Sequence, residues 1–161
     1  MFTIKAGVSD KFEVNAGIEK VREFFGENRN IVEMMDGVES IHTDNKDVTH
    51  WKIFAEVPLI FSLKVSFPVE LAEKTDERIE WIPARGETQN FLKYSADLFE
   101  MSDDLTIVQL MQSVELRRKS ARELHPLAGL AGEKIISAEM QRRITEMVTK
   151  FIRKAQGKLA E

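Results

Sequence analysis

The sequence predicts an α+β fold: a curved antiparallel seven-stranded sheet wrapped around a long C-terminal helix, in the order β-α-α-β6-α. Three observations predict it. From Val38 to Arg118 strand-like segments follow one another with no convincing helix between them. A strand and two short helical segments precede that stretch, and one long amphipathic helix follows it. Strands this numerous must bury a face, and the final helix is the one large element left to cover it. A single helix laid over a curved sheet leaves a gap beside it, so a cavity is the first functional expectation.

Taken in order, Phe2–Val14 reads as a first strand. Asn15 is placed to cap the helix that follows, in which Ile18, Val21, Phe24 and Phe25 make one apolar stripe. Gly26 and the polar Glu27–Asn30 run interrupt it, and Ile31–Met35 forms a second helical turn stopped by Asp36-Gly37. Strands are expected over Val38–Thr43, Val48–Val57, Ile60–Ala72, Arg78–Ile82, Asn90–Met101 and Leu105–Arg118. Turn-type clusters separate them, among them Thr43–Asp47, Glu73–Asp76, Pro83–Thr88 and Ser102–Asp104. Connections this short favour antiparallel hairpins over crossovers. The last helix is expected over Glu133–Lys158, with Ile136, Met140, Ile144, Met147, Val148, Phe151 and Ala155 at helical spacing. Lys150, Arg153, Lys154 and Lys158 complement its dipole.

With 161 residues and no linker or repeat, the chain reads as one domain over 1–161, enough to bury roughly 70% of its unfolded surface. Hydrophobic residues at 43% and charged residues at 31% place it among globular chains. The absence of cysteine removes disulfides and thiolate metal sites. A net charge of −4 argues against a nucleic-acid partner, which calls for a basic excess. The start, MFTIKAGVSDKFEV, carries no signal-peptide pattern. The longest apolar tract, Val57–Leu71, is broken by Pro58, Lys64 and Pro68, short of the roughly 20 residues of a spanning helix. A cytoplasmic protein is expected.

Strand alternation assigns the buried face. Trp51, Ile53, Ala55 and Val57 share one face, followed on the next strand by Phe61, Leu63, Val65, Phe67, Val69 and Leu71. Ile79 and Trp81 continue it, then Leu92, Tyr94, Ala96 and Leu98, then Val108, Leu110, Gln112, Val114 and Leu116. Tyr94 and Gln112 are the main polar groups on this face, with Thr106 near a rim. A buried phenol or amide without a partner costs about 1–3 kcal/mol. Its partner here is the other residue, backbone, water or a ligand's oxygen. No Asp, Glu, His, Lys or Arg falls on the inner face of the middle strands. General acid–base catalysis needs a titratable group in reach, and this face offers only Tyr94. A bulge that reversed the parity would bring Glu70 or Glu115 inside.

The expected cavity is therefore apolar. Its sheet wall draws on Trp51, Phe61, Phe67 and Trp81, and on Leu92, Tyr94, Leu110 and Gln112; Met140, Ile144 and Met147 line it from the helix. Tyr94 and Gln112 would orient a polar group of the ligand. Leu127 and Leu130, on the glycine-containing segment before the last helix, would serve as a lid. Other features weigh less. His42 and His50 pair across a hairpin, but a zinc site wants three or four ligands, so no metal is assigned. His125 stands alone, without a nucleophile motif beside it. Gly129–Gly132 lacks the spacing of a phosphate loop. Arg117, Arg118, Lys119 and Arg122 read as a solvated basic face, and peripheral contact with a membrane ranks below that. No catalytic residue and no cofactor are assigned, and the sequence names no protein partner.

The opening KFEVNAGIEKVREFF from Lys11, followed by MMDGVESI from Met34, resembles the strand–helix lead-in of the helix-grip superfamily. That superfamily includes START lipid-transfer domains, the birch pollen allergen family and polyketide cyclases. The tail GLAGEKIISAEMQRRITEMVTKFI is similar to bacterial members of the carbon monoxide dehydrogenase-associated group. The resemblance runs the length of the chain and implies a helix-grip fold with a hydrophobic cavity. The function expected is binding or transport of a small hydrophobic or lipid-like molecule. Two alternatives stand beside it: a polyketide cyclase/dehydratase-like enzyme with Tyr94 as acid, and a cochaperone-like interaction or maturation module.

Overall fold

In the computed structural model, which describes residues 1–57 and 61–161, seven strands of the described residues form one antiparallel sheet. The elements are β1 (Phe2–Val14), α1 (Ile18–Gly26), α2 (Asn28–Met34), β2 (Val38–Thr43), β3 (Thr49–Val57) and β4 (Phe61–Lys74). They continue with β5 (Arg78–Pro83), β6 (Asn90–Ser102), β7 (Leu105–Arg118), α3 (Ala121–Leu124) and α4 (Ala128–Leu159). The sheet order is β1-β7-β6-β5-β4-β3-β2, so the first strand pairs with the last and the remainder is a meander. Among the described residues no helix is long and apolar enough to cross a membrane.

The long helix is fixed by the edge of β1. The residues of β1 that turn their backbone away from β7 meet side chains of α4 at every second position. Glu133 Oε1 accepts from the Thr3 N–H at 2.9 Å, and Ser137 Oγ from that of Lys5 at 3.4 Å. Gln141 takes both groups of Gly7, accepting from its N–H at 2.9 Å and donating to its carbonyl at 2.8 Å. Farther on, Gln156 Nε2 donates to the Glu13 carbonyl at 2.9 Å. Four helical residues rise about 6 Å and two strand residues about 6.6 Å, so the two repeats stay in step. An edge strand that would otherwise offer unpaired groups is thereby covered.

The C-terminal half of α4 closes one end of the interior with aromatic rings. Phe25 meets Phe24 at 5.1 Å, Phe151 at 6.1 Å and Phe12 at 6.4 Å between centroids, edge-on or tilted. Such pairs contribute about 0.5–1.5 kcal/mol beyond their buried area.

The structure departs from the sequence reading at the element ends. Asn15 does not cap α1. Gly17 does, with extended backbone and no side-chain cap bond. The chain passes so close to the β6–β7 turn there that a Cβ on Gly17 would lie 2.7 Å from the Asp103 carbonyl oxygen. The helix starts where the backbone clears that contact. α2 begins at Asn28 rather than Ile31, because the Glu27 carboxylate accepts from the Arg29 N–H at 3.2 Å. α4 begins at Ala128, is broken at Gly132 (φ 81°, ψ 165°), and runs on from Glu133, the start expected from spacing. That backbone conformation is essentially confined to glycine. Leu71 is exposed rather than buried, since β3 ends opposite Val69 and nothing covers the strand two residues beyond. Ile60, assigned to a strand by the sequence, lies outside the described residues.

Two tests follow from these contacts. Gln141→Ala should lower unfolding stability by about 1–2 kcal/mol in a urea titration, the scale of its two bonds to Gly7. A change within error would mean that the edge pairing does not hold the helix. At the β2–β3 hairpin, Asp44 Oδ2 pairs with His50 Nε2 at 2.9 Å, and Oδ1 accepts from the Lys46 and Val48 N–H groups. The His50 contact first, then the backbone bonds, lower the Asp44 carboxyl from 3.8 to about 2. Since the folded value is depressed, the contribution is present above pH 3.8 and lost as the pH falls through about 2. In His50→Ala the Asp44 carboxyl midpoint, read by NMR, should rise toward 3.8; an unchanged midpoint would assign the shift to the turn alone.

Candidate ligand cavity

Along β7 every inward residue from Thr106 to Leu116 is buried, and alternation continues through β6, β5, β4 and β3. Against this wall α4 turns Met140, Arg143, Ile144 and Met147. The space between them is bounded on the sheet by Ile53 and Ala55 of β3, Val65 and Phe67 of β4, and Gln112, Val114 and Leu116 of β7. It measures about 20 Å³, room for about one water molecule. A wider depression of about 520 Å³ is open to solvent around Lys5, Phe91, Lys93 and Arg117, and encloses nothing.

Of the residues expected to line a cavity, Phe67, Gln112, Met140, Ile144 and Met147 do so. Trp51, Leu92, Tyr94 and Leu110 are fully buried in the sheet's inner face, and Trp81 nearly so. Phe61 is only partly buried and stacks on His125, ring centroids 4.4 Å apart, which gives that histidine a packing role. Leu127 and Leu130 are 41% and 80% exposed; Leu130 lies on the short turn of α4 before the Gly132 break, and Leu127 just precedes that turn. Glu70 and Glu115 stay outside: Glu70 accepts from the Arg85 N–H, and Glu115 pairs with Lys5 and Arg117. His42 and His50 are register partners, with His50 engaged by Asp44.

The polar atoms distinguish this interior from an ordinary core. Thr106 donates to the Ala16 carbonyl at 2.9 Å, and Thr49 shares a 2.8 Å bond with Thr43. Gln112 and Tyr94, both completely buried, have no such partner. Among the described residues neither Gln112 Oε1 nor Nε2 is hydrogen-bonded, and neither is Tyr94 Oη or Trp51 Nε1. These groups belong together. Tyr94 faces Gln112 across the β6–β7 ladder, and its ring lies 5.4 Å from that of Trp51. Of the partners open to Tyr94 and Gln112, each other and the backbone are thus eliminated. Burial pushes the Tyr94 phenol well above its ordinary range, so it stays neutral and offers a hydrogen bond rather than a proton.

Methionines give this wall its compliance. Met147 is wedged against Gly37, where a Cβ would lie 3.2 Å from its Sδ and Cε and 3.1 Å from the Phe54 carbonyl oxygen. Gly37 also has φ 92°, so its lack of a side chain serves the turn and the methionine together. Unbranched thioethers reshape at small cost, unlike the β-branched residues opposite. Arg143 is the lining residue that strand alternation could not have disclosed. It sits on α4 one helical turn from Met140 and Met147, a position that helical spacing marks as inward-facing.

No protein-family model matches the chain, and no curated protein matches it in sequence. Solved structures do match its fold. The aromatase/cyclase Zhui from Streptomyces sp. R1128 superposes with a TM-score of 0.60 at 12% identity, over 94% of this chain and 93% of that one. A conserved protein from Geobacillus kaustophilus gives 0.64 at 14% identity, over 98% and 95%. A START superfamily protein from Mycobacterium smegmatis gives 0.52 at 14% identity, over 87% and 97%. At such identities the likeness is one of fold: an α+β helix-grip architecture shared with START-like proteins and aromatase/cyclases.

Replacing Gln112 by methionine, similar in length but without the amide, should raise the stability of the ligand-free protein by about 1–3 kcal/mol in chemical denaturation. A clear loss of stability would mean that the amide is bonded in the folded protein.

Proposed function

We propose that the protein binds a small hydrophobic molecule between the inner face of its sheet and α4. The observation that carries this reading is the set of completely buried, unpartnered polar atoms on Gln112, Tyr94 and Trp51 beside an apolar space. Unpaired groups of this kind cost about 1–3 kcal/mol each, and native cores keep few of them. A ligand bearing one or two oxygen atoms satisfies them. Tyr94 Oη and Trp51 Nε1 donate, and the Gln112 amide donates and accepts.

Binding requires the space to widen, because about 20 Å³ accommodates no organic ligand. Met140 and Met147 supply that change by altering their rotamers, while α4 stays tied to β1. Leu127 and Leu130 fit a lid role through their exposure next to the Gly132 break.

The lining favours binding over catalysis. Its one ionisable side chain is Arg143, and a guanidinium does not exchange protons near neutral pH. The Tyr94 phenol, raised by burial, is a poor general acid. The polyketide cyclase-like reading retains the fold as its support.

Native mass spectrometry of freshly purified protein, followed by solvent extraction, tests the proposal. A stoichiometric adduct should be found that solvent removes. The stripped protein should then bind N-phenyl-1-naphthylamine saturably, with energy transfer from Trp51. Bare protein that shows no saturable uptake of the dye would overturn it.

A further inference from the structure

We infer that the ligand carries a single negative charge and that Arg143 receives it, an inference that rests on the cavity being a ligand site. Arg143 is the only charged residue among those lining the space, and it is half-buried. Its Nε is shielded from solvent without a hydrogen-bond partner among the described residues, and no described carboxylate lies within ion-pair distance of its guanidinium. The nearby acids are engaged elsewhere. Glu139 and Glu146 both bond Arg142, at 3.1 and 2.9 Å, and Glu133 is held by the Thr3 N–H.

A guanidinium turned toward an apolar space with no protein anion is matched by an oxyanion from outside, which its fork of N–H groups grips in two places. The completely buried and unpartnered Gln112 amide lines the same space and points independently to a polar ligand atom there. One cation and one amide balance a monoanion. A phosphate dianion would leave charge uncompensated in a low-dielectric site, so the class is an apolar or aromatic carboxylic acid.

The test uses the whole chain at pH 7 with N-phenyl-1-naphthylamine as an uncharged reporter, displaced by decanoate or by decanol. Decanoate should displace the dye at least about tenfold more effectively than decanol, the scale of a charge-assisted bond. Arg143→Gln should abolish that difference while leaving dye and decanol affinities within about twofold, and Arg143→Lys should restore part of it. Equal displacement by acid and alcohol in the native protein, or a preference that survives Arg143→Gln, would overturn the inference and leave the cavity reading standing. Failure of the dye, decanoate and decanol all to bind would remove the cavity reading itself, and this inference with it. Near-UV circular dichroism of each variant confirms that the comparison is between folded proteins.

Discussion

The pairing of α4 with the outer edge of β1 is the constraint on which the rest of the molecule depends. A helix resting on a sheet by apolar contact alone is free to slide or roll. Here Glu133, Ser137 and Gln141 take backbone groups of Thr3, Lys5 and Gly7 at matching intervals, and Gln156 does the same at Glu13. That fixes both the rotation and the register of the helix. With the polar stripe committed to the edge, the stripe carrying Met140, Ile144 and Met147 has one direction left, toward β3, β4 and β7. The phenylalanines around Phe151 then seal one end, leaving the narrow space in the other half.

Within that frame the interior combines close packing with unpaired polar atoms, two properties that usually exclude each other. Thr106 and Thr49 show that the fold can satisfy a buried hydroxyl where it needs to. Gln112 and Tyr94, side by side on β7 and β6, are left without partners at the centre of the sheet. Stability sacrificed at a defined place is the usual mark of a site, since a ligand returns what the free protein forgoes. The methionines on α4 and the bare Gly37 beside Met147 supply the give that such a ligand needs.

Much of the architecture could be read from the sequence because it rests on period and punctuation. The boundaries of β1, β2 and β7, the strand order of a meander and the inward faces follow from alternation between turn clusters. What escaped depends on contacts between distant segments. The α1 cap moved from Asn15 to Gly17 because of the Asp103 carbonyl, and Leu71 lost its cover because β3 ends opposite Val69. The role of Glu133, Ser137 and Gln141 was hidden, since polar residues on a helix read as a solvated face until a strand edge is placed beside them. Arg143 escaped for a similar reason: alternation discloses charge only along strands, while this charge comes from the helix. The cavity drew on fewer of the expected residues because Trp51, Leu92 and Leu110 pack against one another and fill volume they were expected to surround.

The central claim is that the buried atoms of Gln112 and Tyr94 are left unpaired to meet a ligand. A high-resolution crystal structure of protein that has kept its copurified molecule tests it most directly. The account predicts density between β7 and α4, with a ligand oxygen about 2.7–3.2 Å from the Gln112 amide and Met140 or Met147 displaced to make room. A closed interior in which fixed water alone satisfies Gln112 and Tyr94, with both methionines in place, would contradict it.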